Sequence, residues 1–439
     1  MNLRTWLKET LYKAGLIRHQ VDPMGPVFVS YRQSDGTDSA LEVARACRAW
    51  GIPIWHDLRD LPPGEWERSI RAALDAGLSG GVLVITPEVG DSQVVIKIEL
   101  PALLRLAKDE TFTFAIATGI TSAEDGKTDF SAADRLLFPK KRPRLNTIKQ
   151  YNLADIHTLA REFAHRRMTF CRDSDEAQLV LDLQTREEGR AWTPSAPLVV
   201  RVPVPRKDSR VPPREVWRNL EAFLEHLPEL LHSAGKSGLL VRGGAHLSVA
   251  VAIGAAVPST VVRVHAEDTA RDVLWTAAEA ATAVDFKVAP EHFDNGQGPA
   301  AVLVDLVPTS PPHDTFTQEV SERRDSLGGC LRITRRDEEI PAAQGAATAL
   351  EIARTIRDFV SKQNTNEIHL YLRVPWPIAL FLGREFNTLR VHLYEWDDLA
   401  ESGWRYAPMA TVTPGTGGSP IANIAAEESL EGKTDGDAS

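Results

Sequence analysis

The sequence predicts an α/β protein made of two successive parallel-sheet regions. Three observations carry this expectation. From Pro26 onward, short apolar runs alternate with helical patterns. Several of the runs are apolar throughout, as strands covered on both faces are. A later region repeats a strand–helix–strand pattern twice.

The elements follow in order. "VFVSY" reads as a buried strand, and "DSALEVARACRAWG" as a helix with Asp38 or Ser39 as N-cap and Gly51 at its stop. "IPIW" is a second strand and "GEWERSIRAALDAG" a second helix ending at Gly77. "GGVLVIT" is a third strand, "PALLRLAKDE" is helical and "TFTFAIAT" is a fourth strand. Sites in such sheets lie beyond the carboxyl ends of the strands. Those ends are Ser30-Tyr31-Arg32, His56-Asp57 and Thr86-Pro87. A basic stretch from about Lys140 leads into a closing helix, "YNLADIHTLAREFAHRRM". The Pro-rich "TPSAPLVVRVPVPRKDSRVPPREVW" then breaks regular structure before the helix "EVWRNLEAFLEHLPELLHSAG". The end is Gly/Ser-rich and then acidic, and reads as a disordered tail. The expected domains are a helical extension over 1–24, a first domain over 25–168, a second over 169–412 with halves at about 169–300 and 301–412, and the tail over 413–439.

Composition narrows the function. The 439 residues are 43% hydrophobic and 25% charged, with a net charge of -10. A duplex nucleic-acid binder leaves a basic footprint, so this balance argues against one. Cys47, Cys171 and Cys330 lie far apart, with no CxxC spacing and no disulfide framework, which fits a reducing cytoplasm. The first residues lack a signal-peptide pattern, although Leu3, Trp6, Leu7 and Leu11 share one helical face. No run is apolar for long enough to span a bilayer, so no membrane partner is expected. No HExxH, P-loop or GxSxG spacing is present, and neither a metal nor a cofactor is expected.

Two patterns point to chemistry. "SQVVIKIELP" holds one carboxylate, Glu99, in an apolar run just beyond the third strand. Pro101 is tolerated in a first helical turn and not in an interior, so the helix is expected to start near Glu99. Glu88, Asp91 and Glu110 are rival acids in loops or at helix ends. The second pattern is the repeat. "GLLVRGGAHLSVAVAIGAAVPSTVVRVH" and "EIHLYLRVPWPIALFLGREFNTLRVHL" share a strand, a turn with Arg242 or Arg373, a helix with Ala-x-x-x-Gly, and a strand with Arg-Val-His. Such units aim helix N-termini at a shared cleft, which suits phosphates. Gly243 and Gly244 allow close backbone approach. Trp376 offers a base a stacking face, with Arg201, Lys207 and Trp396 as weaker candidates. Gly254 and Gly383 are expected to allow helix–sheet packing.

The ordered set "VFVSYRQSD", "WHDLRDLPPGE" and "VITPEVGDSQVVIKIEL" resembles the TIR (Toll/interleukin-1 receptor) domain family over about Gly25 to Arg167. That resemblance implies a flavodoxin-like parallel sheet. It also implies either assembly through the loop holding Asp57, Leu61, Pro62 and Gly64, or cleavage of NAD. Glu99 matches the catalytic glutamate of TIR NADases and Ser92 the serine before it, whereas Val94 stands where a tryptophan is usual and one extra residue separates serine from glutamate. Tyr31, Arg32, Asp57 and Ser92 then fall where the family contacts the nucleotide. Trp55 and Trp66 read as core, with stacking as the alternative.

The repeat region resembles the SAVED domain family, itself similar to two fused CARF (CRISPR-associated Rossmann-like) units. "HLYLRVPWPIALFLGREFN" carries the resemblance most strongly, together with "LVRGGAHLSVAVAIG" and "AAVLVDLVPTSP". It implies binding of a cyclic oligonucleotide, a trinucleotide favoured over a dinucleotide, through Arg242, Gly243, Gly244, Thr309, Ser310, Arg373, Pro375 and Trp376. A TIR-like domain before a SAVED-like one resembles effectors of cyclic-oligonucleotide-based antiphage signalling (CBASS). The expected function is a cytoplasmic, ligand-activated NAD+ nucleosidase that self-associates head-to-tail into oligomers or filaments. The alternatives are a non-enzymatic assembly scaffold and an enzyme that degrades its own cyclic ligand.

Overall fold

The structure, a computed structural model, describes residues 21–55, 77–139, 144–186, 196–201, 211–257, 262–276, 282–293, 298–307, 314–335, 338–397, 405–413 and 418–425. The chain divides into two units: Met1–Ser174 with Trp192–Val199, and Asp175–Ala191 with Val200–Ser439.

The first unit holds β1 (Val27–Ser30), α1 (Gln33–Ala49), β2 (Ile54–Trp55), β3 (Gly80–Ile85), α2 (Leu100–Leu106), β4 (Thr113–Thr118), α3 (Ala132–Leu137), β5 (Lys149–Asn152) and α4 (Ile156–Asp173). Its five strands run β2-β1-β3-β4-β5, and every pairing is parallel. This is the 2-1-3-4-5 order of doubly wound flavodoxin-like sheets. Leu83 and Ile85 join Phe28, Leu103 and Ile116 in one apolar layer under α2 and α3. Val82 and Val84 alternate to the opposite face, where α1 and α4 pack on one another.

Two helix starts differ from expectation. α1 begins at Gln33, five residues before Asp38, because Arg32 is already extended (φ -87°, ψ 128°) and serves as the cap. The helical run holding Glu99 does not start there. It begins at Gln93, passes through a π turn over Val95–Glu99, and continues as α2. Pro101 thus lies inside a helical run. A proline ring crowds the carbonyl four residues back in an α-helix, and the wider π turn comes just before it.

Arg167 of α4 is buried, with no carboxylate partner among the described residues. It donates to the carbonyls of Pro197 (3.1 Å), Gly25 (2.6 Å), Met24 (2.8 Å) and Ala196 (3.2 Å), and to Ser79 Oγ (2.9 Å). Burial pushes its guanidinium down to about 10, so it stays charged at neutral pH. Four carbonyl dipoles and a hydroxyl offset the desolvation that a lone cation would suffer.

The remaining elements are β6 (Gln178–Gln184), β7 (Leu198–Arg201), α5 (Arg214–Ala234), β8 (Gly238–Gly244), α6 (Leu247–Ala256), β9 (Arg263–Asp268), β10 (Val273–Trp275), β11 (Lys287–His292), β12 (Ala300–Asp305), α7 (Asp314–Glu322), β13 (Gly329–Thr334), α8 (Gly345–Lys362), β14 (Glu367–Arg373), α9 (Trp376–Glu385), β15 (Arg390–Asp397), β16 (Arg405–Val412) and β17 (Ile421–Ile424); all belong to the second unit except the first two residues of β7, which fall in the first. One sheet runs β10-β9-β8-β6-β7 and the other β11-β13-β12-β14-β15-β16-β17. The repeat is visible as β8–α6–β9 and β14–α9–β15, each pair of strands parallel. β17 pairs antiparallel with β16. It lies within the stretch expected to be a tail, where Ile421 supplies a buried apolar contact; residues 426–439 lie outside the described residues.

Gly254 and Gly383 do not serve helix–sheet packing. A Cβ on Gly254 would overlap the carbonyl oxygen of Leu380, and one on Gly383 would overlap that of Val251. The glycines let α6 and α9 cross backbone to backbone. Among the described residues, no helix is long and apolar enough to cross a membrane, and the three cysteines are buried and form no disulfide.

The crossing makes a stability prediction. Gly254→Ala and Gly383→Ala are each expected to destabilise the protein by about 1–3 kcal/mol, as overpacking does. The double variant should cost less than the sum, because one separation of the helices relieves both clashes. Urea unfolding of the full chain measures this, and variants as stable as the parent would show that the helices part freely.

Candidate functional site

At the carboxyl end of the first unit's sheet, the structure brings Glu99 to Ser30 and within electrostatic reach of Tyr31. Glu99 is 4% exposed, and its Oε2 accepts a hydrogen bond from Ser30 Oγ at 2.5 Å. Phe28 and Ser30 share a face of β1 by period-two alternation, and Phe28 packs in the layer containing Val95 and Leu100. The π turn therefore lies over the face that carries the Ser30 hydroxyl. Burial raises the Glu99 carboxyl to about 7, against a smaller downward pull from Ser30. Burial, and then the charge of Glu99, pushes the Tyr31 phenol up, so it stays protonated. Thr86, at the end of β3, is buried with its hydroxyl unpartnered among the described residues.

The other predicted residues have ordinary partners. Arg32 forms ion pairs with Glu88 and with Asp35 (3.4 Å). Ser92 Oγ accepts the Val95 N–H at 3.3 Å and its carbonyl accepts the Ile96 N–H at 3.0 Å, so Ser92 caps the helical run. Asp91 and Glu110 are exposed, as is Val94. Trp55 packs on Phe28 at 5.6 Å between ring centroids. Asp57, Leu61, Pro62, Gly64 and Trp66 lie outside the described residues.

In the second unit, the strand ends carry arginines next to acids. Arg242 on β8 is in register with Asp182 on β6, and Arg373 on β14 with Asp305 on β12. Arg373 Nη1 lies 3.3 Å from Asp305 Oδ2, with the aspartate buried and the arginine largely so. Gly243 has φ +135°, and a Cβ there would overlap the Leu183 carbonyl oxygen. Three expectations change here. Arg373 is engaged by Asp305 and is not an open phosphate contact. Trp376 is only 6% exposed at the start of α9 behind Pro375, so it presents no open stacking face; its indole N–H has no partner among the described residues. The N-terminus of α6 already holds an anion: Glu395 accepts the N–H groups of Leu247 (3.3 Å) and Ser248 (2.9 Å) and the Ser248 hydroxyl (2.6 Å). Trp396 sits edge-on to Tyr406 at 5.0 Å in a core cluster, and Arg201 is exposed. Thr309, Ser310 and Lys207 lie outside the described residues.

Sequence reasoning passed over Ser30 as a partner of Glu99, and over Asp182, Asp305 and Glu395. A signal was present for the aspartates. "LVLDLQ" and "VLVDLV" each set one Asp in an apolar strand at the same place in each half.

The second unit is thus a pair of α/β halves joined through a helix crossing, with paired charges at the strand ends. Residues 223–412 match the family model of the SAVED domain, described as the SMODS-associated and fused to various effectors sensor domain. No curated protein matches the chain. Among solved structures, the chain is similar to the Acinetobacter baumannii Cap4 SAVED/CARF-domain containing receptor with the cyclic trinucleotide 3'3'3'-cAAA. The identity is 15% over 80% of this chain and 86% of that one, with a TM-score of 0.44. The same receptor with 2'3'3'-cAAA gives 15% identity, the same coverage and a TM-score of 0.43. The Moraxella osloensis Cap4 SAVED/CARF-domain containing receptor gives 13% identity over 85% of this chain and 96% of that one, with a TM-score of 0.39.

The Glu99 environment sets the sign of a pH effect. Its carboxyl ionises at about 7 when folded and near 4.5 ordinarily, so over that interval the folded state binds the proton more tightly. Stability therefore falls as pH rises from about 4.5 through 7. Glu99→Gln is expected to stabilise the chain at pH 8 by about 1–3 kcal/mol, at about 1.4 kcal/mol per pKa unit, and by little at pH 4.5. Thermal unfolding at the two pH values checks this; an equal effect at both would refute it.

Proposed function

We propose that the protein is a sensor-gated NAD+ nucleosidase of antiphage defence. A cyclic oligonucleotide binds the SAVED region, the protein self-associates, and the TIR-like first unit cleaves NAD. The sensing half is supported by the SAVED match over residues 223–412. The observation that carries the catalytic half is the buried Glu99 carboxyl at the carboxyl end of the parallel sheet, in the position the TIR resemblance assigns to the catalytic acid.

The chemistry needs little more than this carboxylate. The bond from the anomeric carbon to the nicotinamide nitrogen breaks, and its electron pair leaves with nicotinamide, which departs neutral and unprotonated. The ribosyl ring is left oxocarbenium-like, and an ionised Glu99 beside it stabilises that charge. Water adds to the anomeric carbon and releases a proton, which the carboxylate can accept. The products are nicotinamide and ADP-ribose. Tyr31 stays protonated and can donate to a sugar hydroxyl. Arg32 can meet the pyrophosphate in exchange for Glu88, an exposed carboxylate that gives up the pair at little cost.

Ligand gating follows from self-association: a head-to-tail contact repeats through every copy and builds an open assembly. The cyclic trinucleotide is the preferred activator in this reading.

Incubation of the full chain with NAD and a panel of cyclic di-, tri- and tetranucleotides tests the proposal. NAD loss is expected with one ligand and not without it. Glu99→Gln is expected to reduce the rate on the order of 10²-fold or more, the weight of a transition-state charge contact. No NAD loss with any ligand, or undiminished loss in the variant, would sink the catalytic assignment.

A further inference from the structure

Ser30 closes β1, a strand buried along its whole length. The residues before it are apolar, and a hydroxyl at such a place costs free energy unless it is paired. Its partner is 69 positions away in the chain: Ser30 Oγ donates to Glu99 Oε2 at 2.5 Å. Ser30 is 1% exposed and Glu99 4%. Among the described residues Ser30 is the only hydrogen-bond partner of this carboxyl, and Oε1 has none.

We propose that Ser30 is a positioning residue, which holds Oε2 of Glu99 so that the side chain keeps one rotamer and Oε1 is left to face the ribosyl ring. This inference rests on the NAD-cleaving reading above. Two surfaces fix the arrangement. The strand gives the Ser30 oxygen a set place, because its backbone pairs with β3 at Leu83. The π turn and Pro101 set the backbone that carries Glu99. The side chain of Glu99 retains three torsions, and a hydrogen bond at its tip restrains them together.

The bond has an electrostatic effect as well. A hydroxyl that donates to a carboxylate favours the ionised form, and here it opposes the upward pull of burial. The reaction needs the ionised form, since a neutral carboxyl stabilises a developing cation poorly. Loss of the hydroxyl therefore harms catalysis most at low pH and least at high pH, whereas a defect in folding shows no such pattern.

The test compares Ser30→Ala, Ser30→Thr and Glu99→Gln in the full chain. NAD cleavage is followed from pH 5 to pH 9 with the panel of cyclic nucleotides. Ser30→Ala is expected to lower kcat roughly tenfold at pH 6, the weight of about one pKa unit, with KM little changed. The acid limb of its profile moves up by about one pH unit, and pH 9 restores most of the loss. Ser30→Thr keeps the hydroxyl and the parent profile. Glu99→Gln is not rescued at any pH. A loss in Ser30→Ala that is equal at all pH values, or an unchanged profile, overturns the proposal. A second readout needs no activity. The pH dependence of thermal stability contains the Glu99 step, which is absent from Glu99→Gln and should move up in Ser30→Ala. A step that stays in place overturns the hold of Ser30 on Glu99. A step that moves in a protein that cleaves no NAD supports that hold, but overturns the catalytic role together with the NAD reading.

Discussion

The second unit depends on one close approach, the meeting of α6 and α9 at Gly254 and Gly383. Each helix follows a strand of its own half, so the crossing joins the two halves. Neither backbone leaves room for a Cβ at that point. The distance between the halves is thus set by backbone atoms, which cannot change rotamer. The same geometry lets an acid from one half reach the other. Glu395 on β15 caps α6, which belongs to the repeat of β8 and β9. A carboxylate at a helix N-terminus is favoured by the dipole and by the open N–H groups there, so the cap reinforces what the glycines permit.

Buried acids in the two units are held in contrasting ways. Asp305 lies against the Arg373 guanidinium, and Glu395 accepts three hydrogen bonds. These groups are neutralised or well solvated by the protein, as structural acids are. Glu99 has one hydroxyl and no cation among the described residues. Its ionisation therefore moves toward neutrality, where a small change of surroundings switches its charge. That contrast, more than burial itself, separates Glu99 from the other buried carboxyls.

Much of this was legible in the sequence. The alternation of "VFVSY", "GGVLVIT" and "TFTFAIAT" with helical patterns specifies a parallel sheet, and three of the five strands of the first unit form there. The repeat was readable because Arg, Ala-x-x-x-Gly and Arg-Val-His recur in order. What the glycines do was not, since helix–helix and helix–sheet packing ask for the same small residue. The π turn was also hidden. Pro101 signals a local problem for a regular helix, but a helix start and a widened turn both solve it, and the chain takes the second, with Val95 and Leu100 in the core that also holds Phe28. The charge pairs at the strand ends were missed because they join residues far apart in sequence: Asp305 and Arg373 are 68 positions apart.

This last point sets what the proposed anionic ligand would have to displace at those strand ends. A phosphate that took Arg373 from Asp305 would draw a buried carboxylate away from the cation 3.3 Å from it, and parting a buried ion pair typically costs several kcal/mol. A phosphate at the N-terminus of α6 would have to displace Glu395 and its three hydrogen bonds. Neither exchange is favourable unless the displaced acid finds water or another cation. In the proposed binding role Asp305 would act as a filter, because a weak or misplaced anion could not pull Arg373 from it. A ligand that engages several groups at once can offset the loss, because its later contacts need no further loss of translational freedom. The ring of phosphates proposed as the ligand would be of this kind, and the paired repeat has one Arg–Asp register in each half.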